Sequence, residues 1–268
     1  MPELPEVETV VRGLRSCLVG RTIAKVHVRW SGSIGSPSSE RFVRRLTGRT
    51  VTGVDRRGKW IVMHVDDGQA LLVHLRMTGQ LLLEADGCPE GKYTRVVFHL
   101  EDDPSTNADR LRFSDMRKFG RLILTHDPGA VLDELGPDPL DDTFTVQRFQ
   151  DMLAERRGRV KSLLLNQRFL AGLGNIYVNE ALWQARVHPL RPADSLSDEE
   201  VAALHQAIRS VLRAAIARGG TTLENGNFRQ ADGEAGEYAS QLLVYGREGE
   251  DCECCGIPIQ RMTVGQRG

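Results

Sequence analysis

The chain reads as an α+β protein, an antiparallel β-sandwich or barrel followed by a helical region. Three observations predict this. Apolar residues first recur at helical spacing, and short alternating segments separated by turns then fill about 110 residues. Beyond an acidic, proline-rich break the periodicity changes to 3.6 residues. A length of 268 residues suggests two domains.

Val7, Val10, Val11, Leu14 and Leu18 fall on one helical face. Pro5 suits the first turn and Gly20 the stop, so a helix is expected over Pro5–Leu18. Thr22–Trp30 alternates and is β-branched, which predicts a strand, and Ser31–Ser39 reads as a loop. Short strands are expected at Thr50–Arg56, Trp60–Val65, Ala70–Leu75, Leu81–Glu84, Thr94–Leu100, Leu111–Ser114 and Arg121–Thr125. Asp67-Gly68, Thr78-Gly79 and Asp86-Gly87 supply turns between them. Asp133–Asp142 marks a linker. Helices are expected at Val146–Glu155, Val160–Leu165, Ile176–Gln184 and Ser197–Arg218, the last opened by a capping box of Ser197 and Glu200. Glycine-rich Gly219–Gly236 reads as mobile, and Asp251–Gly268 as a small cysteine-bearing appendage. The resulting organisation is 1–132, a linker 133–144, then 145–240 and 241–268.

Composition excludes several classes. The chain is 40% hydrophobic and 26% charged, with a mean hydropathy of -0.31. No apolar run approaches the roughly 18 residues of a membrane helix. The acidic, proline-rich start is the reverse of a secretory leader. Five cysteines do not make a disulfide framework in a chain this long, which fits a reducing, cytoplasmic setting. The net charge of -1 is unevenly spread: residues 1–60 balance to +7, residues 61–158 to -7 and residues 159–268 to -1. The basic block can form one electrostatic face for nucleic acid, or a solvated surface offset by the acidic middle.

Pro2 carries the most chemical information. Methionine before a small residue is normally removed, which makes proline the terminus. A free α-amine titrates near pKa 8, against about 10.4 for lysine, so roughly a tenth is nucleophilic near neutrality. A secondary amine attacks a carbonyl-like carbon to give an iminium. Glu3 and Glu6 lie within one turn and can move protons or hold the amine. Read alone, the fragment is first an ordinary helix start with acidic residues at the positive end of the dipole, and only the remaining signals turn it toward chemistry.

Met1–Thr9 (MPELPEVET) resembles the opening of the formamidopyrimidine-DNA glycosylases. Further segments match in order: Arg56-Arg57-Gly58-Lys59, His74–Gly79, Asp115–Gly120, Gly172–Tyr177 and Val244–Arg247. Together they span nearly the whole chain. The Glu-Leu-Pro-Glu start favours this branch over the related endonuclease VIII branch.

The resemblance implies an N-terminal antiparallel β-sandwich with an N-terminal helix. It implies next a helix-two-turns-helix domain with a C-terminal zinc-finger-like hairpin. It implies an enzyme that removes 8-oxoguanine and formamidopyrimidines from duplex DNA through a Schiff base, then cuts the strand by β,δ-elimination. Damaged double-stranded DNA is the implied partner of a monomer, with no membrane. Pro2 would be the nucleophile, Glu3 the acid for sugar opening, and Glu6 a residue that positions the terminus. Lys59 would reach the phosphates beside the lesion; its bare alternative is a hairpin-turn lysine.

Base removal inside a duplex requires flipping, and Met77, Arg117 and Phe119 match the wedge that fills the hole. Read singly, Met77 and Phe119 fit sheet core. Asn175 is placed to cap the helix after Gly172–Gly174 and would hold phosphate there. Lys161, Tyr245 and Arg267 align with further DNA-contacting positions. The loop 219–238 resembles one that closes over the flipped base. Cys252 and Cys255 would ligate Zn2+, with Cys254 an extra neighbour. Zinc takes four ligands, and the family's second cysteine pair does not follow Gln266-Arg267. A lost C-terminus is therefore expected rather than a zinc-free finger. A scaffold that binds damaged DNA without chemistry is the alternative of a different class.

Overall fold

Helix α1 (Leu4–Leu18) forms on the predicted spacing, and Val7, Val10, Val11 and Leu14 are fully buried. The strands follow: β1 (Thr22–Val28), β2 (Ile34–Ser36), β3 (Arg49–Arg57), β4 (Trp60–Val65) and β5 (Ala70–His74). After them come β6 (Gly79–Glu84), β7 (Thr94–Leu100), β8 (Arg110–Asp115) and β9 (Arg121–Thr125). This computed structural model describes residues 1–85, 87–101, 103, 108–224 and 226–268. Asp86 of the expected Asp86-Gly87 turn, and Asn225 of the glycine-rich segment, lie outside them.

The strands join in the order β2-β9-β5-β4-β3-β1-β7-β8-β6. Strand β1 is the link between two halves: Thr22 and Ile23 pair with β3, while Ile23–Val28 pair with β7. Alternation sorts the side chains. Ile61, Met63, Leu71, Val73, Leu122 and Leu124 share one core with α1 and with Val96, Phe98, Leu111 and Phe113 of the other half. Their neighbours Val62, Ala70 and Leu72 face the opposite way, against Val131 and Leu132 of the short α3 (Gly129–Leu132).

Three expectations need correction. The sheet is not wholly antiparallel, because β2 runs parallel to β9 with Ile34 opposite Leu122. The Ser31–Ser39 loop holds a 3-10 turn (Ser31–Ser33) and β2 itself. Helix α2 (Ser39–Leu46) lies where no element was expected. Its sequence SERFVRRL is half charged, which hides the apolar pair Phe42 and Leu46, four residues apart and both fully buried.

The described chain divides into two compact units: Met1–Asp133 with Arg218–Glu237, and Glu134–Ala217 with Tyr238–Gly268. The glycine-rich segment therefore belongs with the sheet, not with the helices that flank it in sequence. It was expected to be mobile, yet it is pinned at several points. Leu83 N donates to Ala231 O at 2.7 Å, Gly236 N donates to Thr222 Oγ1 at 2.8 Å, and Phe228 and Ala231 enter the sheet core.

The second unit contains α4 (Val146–Ala154), α5 (Val160–Leu165), α6 (Asn175–Gln184) and α7 (Asp198–Ala217). Ser197 and Glu200 form the predicted capping box: Ser197 N donates to Glu200 Oε2 at 2.9 Å, and Glu200 N to Ser197 Oγ at 3.3 Å. Much of the acidic break is fastened rather than slack. Gly136 N donates to Gln167 O at 2.9 Å, and Arg209 Nη1 donates to Pro139 O at 3.0 Å and Asp141 O at 2.7 Å.

Candidate active site and nucleic-acid interface

The start of α1 is buried, with Pro2 covered, Glu3 3% exposed and Glu6 1% exposed. Glu6 is the organising group. Its Oε2 accepts from Glu3 N at 2.8 Å, and its Oε1 accepts from Thr221 N at 2.8 Å. One carboxylate thus joins the terminus to the glycine-rich segment within the same unit, where charged acceptors bind amides strongly. While Met1 is attached, the Pro2 nitrogen is an amide without a basic lone pair. Met1 itself is 39% exposed and open to removal.

Lys59 sits in the two-residue turn between β3 and β4, where Arg57 pairs with Trp60. It is only 6% exposed, so the plain surface-turn reading does not describe it. The turn is tied to α1: Arg56 Nε donates to Glu8 Oε2 at 2.9 Å, and Arg12 Nε to Glu8 Oε1 at 2.8 Å. Burial opposes ionisation of Glu8, but the bonds from Arg12 and Arg56 outweigh it and hold its carboxyl below the usual range. Across from Trp60, His74 packs edge-on at 4.8 Å between ring centroids and accepts from Arg76 N through Nδ1 at 3.0 Å. Burial, reinforced by the charges of Arg76 and Lys59, pushes the His74 imidazole down to about 3. It is therefore a neutral acceptor near pH 7. The sequence placed His74 in a motif but attached no role to it.

Met77 lies in the β5–β6 loop, and Arg117 and Phe119 lie in the β8–β9 loop. Phe119 is 48% exposed and Met77 is half-buried, so neither is closed sheet core. The Arg117 guanidinium lies over the Phe119 ring at 4.8 Å. Arg76 and Lys118 adopt positive φ values of 55° and 61°, a left-handed backbone that non-glycine residues rarely take. Between the loops, Asp115 is fully buried and takes hydrogen bonds from both. Asp115 lies in a matched segment, but nothing in the sequence marks it as the buried acceptor for both loops.

In the second unit, Gln167 shapes the turn before α6. Its Oε1 accepts from Gly172 N at 2.9 Å, and its Nε2 donates to Leu173 O at 2.7 Å. Gly174, not Asn175, is the N-cap of α6. Asn175 opens the helix itself, and its buried Oδ1 has no partner among the described residues. The expected capping role is thus corrected, and an acceptor-bearing amide is left facing inward. Lys161 is 2% exposed, and its Nζ donates to Gly268 O at 2.7 Å. Burial lowers its pKa.

Glu180 on α6 is 2% exposed and collects three successive amides: Leu243 N at 2.8 Å, Val244 N at 3.0 Å and Tyr245 N at 2.8 Å. This anchors the stretch that carries Tyr245. No sequence motif announced it. Arg267 is exposed on a tight turn in which Val264 and Arg267 exchange backbone bonds at 2.8 and 3.1 Å. A cavity of about 790 Å³ is lined by Lys161, Asn175, Tyr245, Cys252 and Cys255 among others.

The cysteine segment folds as a turn, with Gly256 N donating to Cys252 O at 2.8 Å and Cys252 N to Ile257 O at 3.0 Å. Backbone amides of Cys254 and then Cys255 lower the Cys252 thiol pKa. Among the described residues, no group of three or more His, Cys, Asp or Glu is arranged to hold a metal. A closed zinc site takes four ligands, so the residues present do not complete one.

Comparison with known proteins places this geometry. Residues 1–122 match the formamidopyrimidine-DNA glycosylase N-terminal domain, and residues 135–226 match the formamidopyrimidine-DNA glycosylase H2TH domain. The formamidopyrimidine-DNA glycosylase of Herpetosiphon aurantiacus is 46% identical over 270 residues, covering 100% of this chain and 96% of the relative. That of Enterococcus faecalis is 44% identical over 273 residues, covering 100% of this chain and 94% of the relative. A Lactococcus lactis Fpg (MutM) crystallised with N7-benzyl-Fapy-dG DNA has a TM-score of 0.90 at 35% identity, covering 100% of this chain and 96% of that one. MutM of Thermus thermophilus has a TM-score of 0.87 at 40% identity, covering 99% and 95%. On sequence and fold together, the chain belongs to the formamidopyrimidine-DNA glycosylase family.

Proposed function

We propose the following division of labour for a base-excision-repair glycosylase with AP-lyase activity, the activity class that family membership establishes. Once Met1 is removed, the Pro2 nitrogen attacks C1′ of the damaged nucleotide. The N–C1′ bond forms as the glycosidic bond breaks, and the base leaves with a proton. Glu3 supplies the proton that opens the sugar ring, giving an iminium. The iminium acidifies C2′. Loss of that proton expels the 3′ phosphate, and a second elimination expels the 5′ phosphate. Lys59 meets the phosphates beside the lesion as a point charge. Met77, Arg117 and Phe119 fill the hole and read the opposite base; base–aromatic stacking returns about 1–3 kcal/mol per base against an unstacking cost of a few. The substrate is duplex DNA carrying 8-oxoguanine or formamidopyrimidine.

One observation supports this reading above the rest: Glu6 ties Glu3 N to Thr221 N, so the terminus, the acid and the 219–236 segment are assembled together. In the second unit, Asn175, Lys161, Tyr245 and Arg267 hold the lesion strand, Asn175 by donating its side-chain amide N–H to a phosphate oxygen. We assign residues 1–132, joined by 218–237, to chemistry. The linker is 133–144, and 145–240 without that segment forms the helix-two-turns-helix domain. The sheet is folded into two layers about its shared core, and 241–268 is a zinc-finger-like hairpin. Cys252 and Cys255 supply half of a structural zinc site, and no chemical step passes through it. The protein works as a cytoplasmic monomer; no helix among the described residues is long and apolar enough to cross a membrane.

Borohydride reduction tests the chemistry. Protein with Met1 removed should be trapped covalently on an 8-oxoguanine duplex, and Pro2→Gly should lower trapping at least 100-fold. Undiminished trapping by protein that keeps Met1, in which the Pro2 nitrogen is an amide, would assign the nucleophile elsewhere.

A further inference from the structure

The β5–β6 and β8–β9 loops are separate in sequence but are held by one side chain. Asp115 ends β8 directly opposite Gly79, which opens β6. Its Oδ1 accepts from Thr78 Oγ1 at 2.5 Å and from Arg117 N at 3.2 Å, and its Oδ2 accepts from Gly120 N at 2.7 Å. Thr78 Oγ1 accepts in turn from Arg117 N at 3.0 Å. The Asp115 carbonyl takes Arg95 Nε at 2.8 Å. The carboxylate therefore grips both ends of the Met116–Gly120 loop and the far end of the Leu75–Thr78 loop.

The site is shaped for this grip. A Cβ on Gly120 would lie 2.5 Å from Phe113 Cζ and 3.2 Å from Asp115 Oδ2, so only glycine lets its amide reach the carboxylate. Asp115 is fully buried, and a buried carboxylate persists only when donors surround it. Both loops contain a left-handed non-glycine residue beside a wedge side chain: Arg76 before Met77, and Lys118 between Arg117 and Phe119. Such backbone persists only where its surroundings over-determine it. For Lys118 the surroundings are this hydrogen-bond network, which holds the loop on either side of it; Arg76 is held by its own N–H on His74 Nδ1 and lies two residues before Thr78.

We propose that Asp115 and Thr78 are a positioning pair that locks the two loops into one rigid wedge, so that discrimination of the base opposite the lesion depends on them. Neither touches the reacting atoms. Their effect runs through the placement of Met77, Arg117 and Phe119, and the proposal rests on the wedge role given to those three. Filling a hole left by a flipped base needs side chains held within a fraction of an ångström. Cleaving an abasic site in single-stranded DNA needs no hole filled. The two activities should therefore separate.

The experiment compares Thr78→Val, Thr78→Ser, Asp115→Asn and Arg117→Ala in the full chain with Met1 removed. Excision is measured on 8-oxoguanine duplexes with cytosine or adenine opposite, beside cleavage of a single-stranded abasic oligonucleotide. Thr78→Val should slow duplex excision at least 10-fold and shrink the cytosine-to-adenine preference at least 5-fold. Its single-strand cleavage should stay within 2-fold, and Thr78→Ser should restore the preference. Asp115→Asn, which cannot accept at both carboxyl positions, should do the same or more. The proposal is overturned if Arg117→Ala loses the preference while Thr78→Val and Asp115→Asn keep it. It is also overturned if the Thr78 and Asp115 variants lose single-strand cleavage in proportion, since that marks a general structural role. If Arg117→Ala itself keeps the preference, the wedge reading fails, and this proposal with it.

Discussion

Glu6 and Glu180 are buried carboxylates that collect backbone amides, one in each unit, and they do so in different ways. Glu180 binds three consecutive amides, Leu243 to Tyr245, and so sets the shape of a single stretch of chain. Glu6 uses one oxygen for Glu3 and the other for Thr221, two segments far apart in sequence. The first arrangement is an anchor. The second is a coupling, because moving either segment disturbs the acceptor of the other. A coupling placed beside the proposed nucleophile belongs to function, whereas an anchor belongs first to stability.

The largest expected effect is on Glu180. Glu180→Ala leaves three half-buried amides without their buried acceptor, each bond worth about 1 kcal/mol, so urea denaturation should show a loss of about 3 kcal/mol. Glu6→Gln keeps the shape but can accept at only one position. It should lose less stability, about 1–3 kcal/mol, yet reduce borohydride trapping at least 10-fold. Equal losses of stability and trapping in both variants would abolish the distinction.

A smaller effect is set by pH. His74 is buried neutral, with its folded pKa driven down to about 3. Above the unfolded value of about 6.5 it is neutral in both states and adds no pH dependence. As pH falls from about 6.5 toward 3, the unfolded chain takes a proton that the folded chain refuses, and stability drops by up to about 1.4 kcal/mol per pH unit. His74→Asn, which retains an acceptor for Arg76 N, should flatten that acid limb in denaturation curves. An unchanged slope would place the titration elsewhere.

The smallest effect belongs to the second unit's surface. Arg168 and Glu134 pair at 2.6 Å but are 70% and 68% exposed. Arg168→Ala should change stability by no more than about 0.5 kcal/mol. A larger loss in the same denaturation assay would give this exposed pair a role like that of the buried carboxylates.

Trp60–Val65, Thr94–Leu100, Arg121–Thr125 and Val160–Leu165 occur where periodicity placed them, because each has apolar residues on the period of its own element. Helix α2 was not legible, since four of its eight residues are charged and only Phe42 and Leu46 mark the buried face. Asn175 looked like a cap by residue type, but the cap is Gly174, one position earlier. Read singly Phe119 fits sheet core, whereas the family match puts it in the wedge, and its position in the β8–β9 loop leaves it half exposed.

Local spacing, turn residues and the ordered motifs were enough to establish the α+β class, most strand positions and the family, because each depends on neighbours along the chain. Which carboxylates matter is not a local property. Asp115 and Glu180 resemble other acidic residues until folding removes their water and brings distant donors to them, the Thr78 hydroxyl to the first and three amides to the second. The same holds for residues 218–237, which lie between helical segments in sequence but pack with the sheet, since long-range burial outweighs adjacency along the chain.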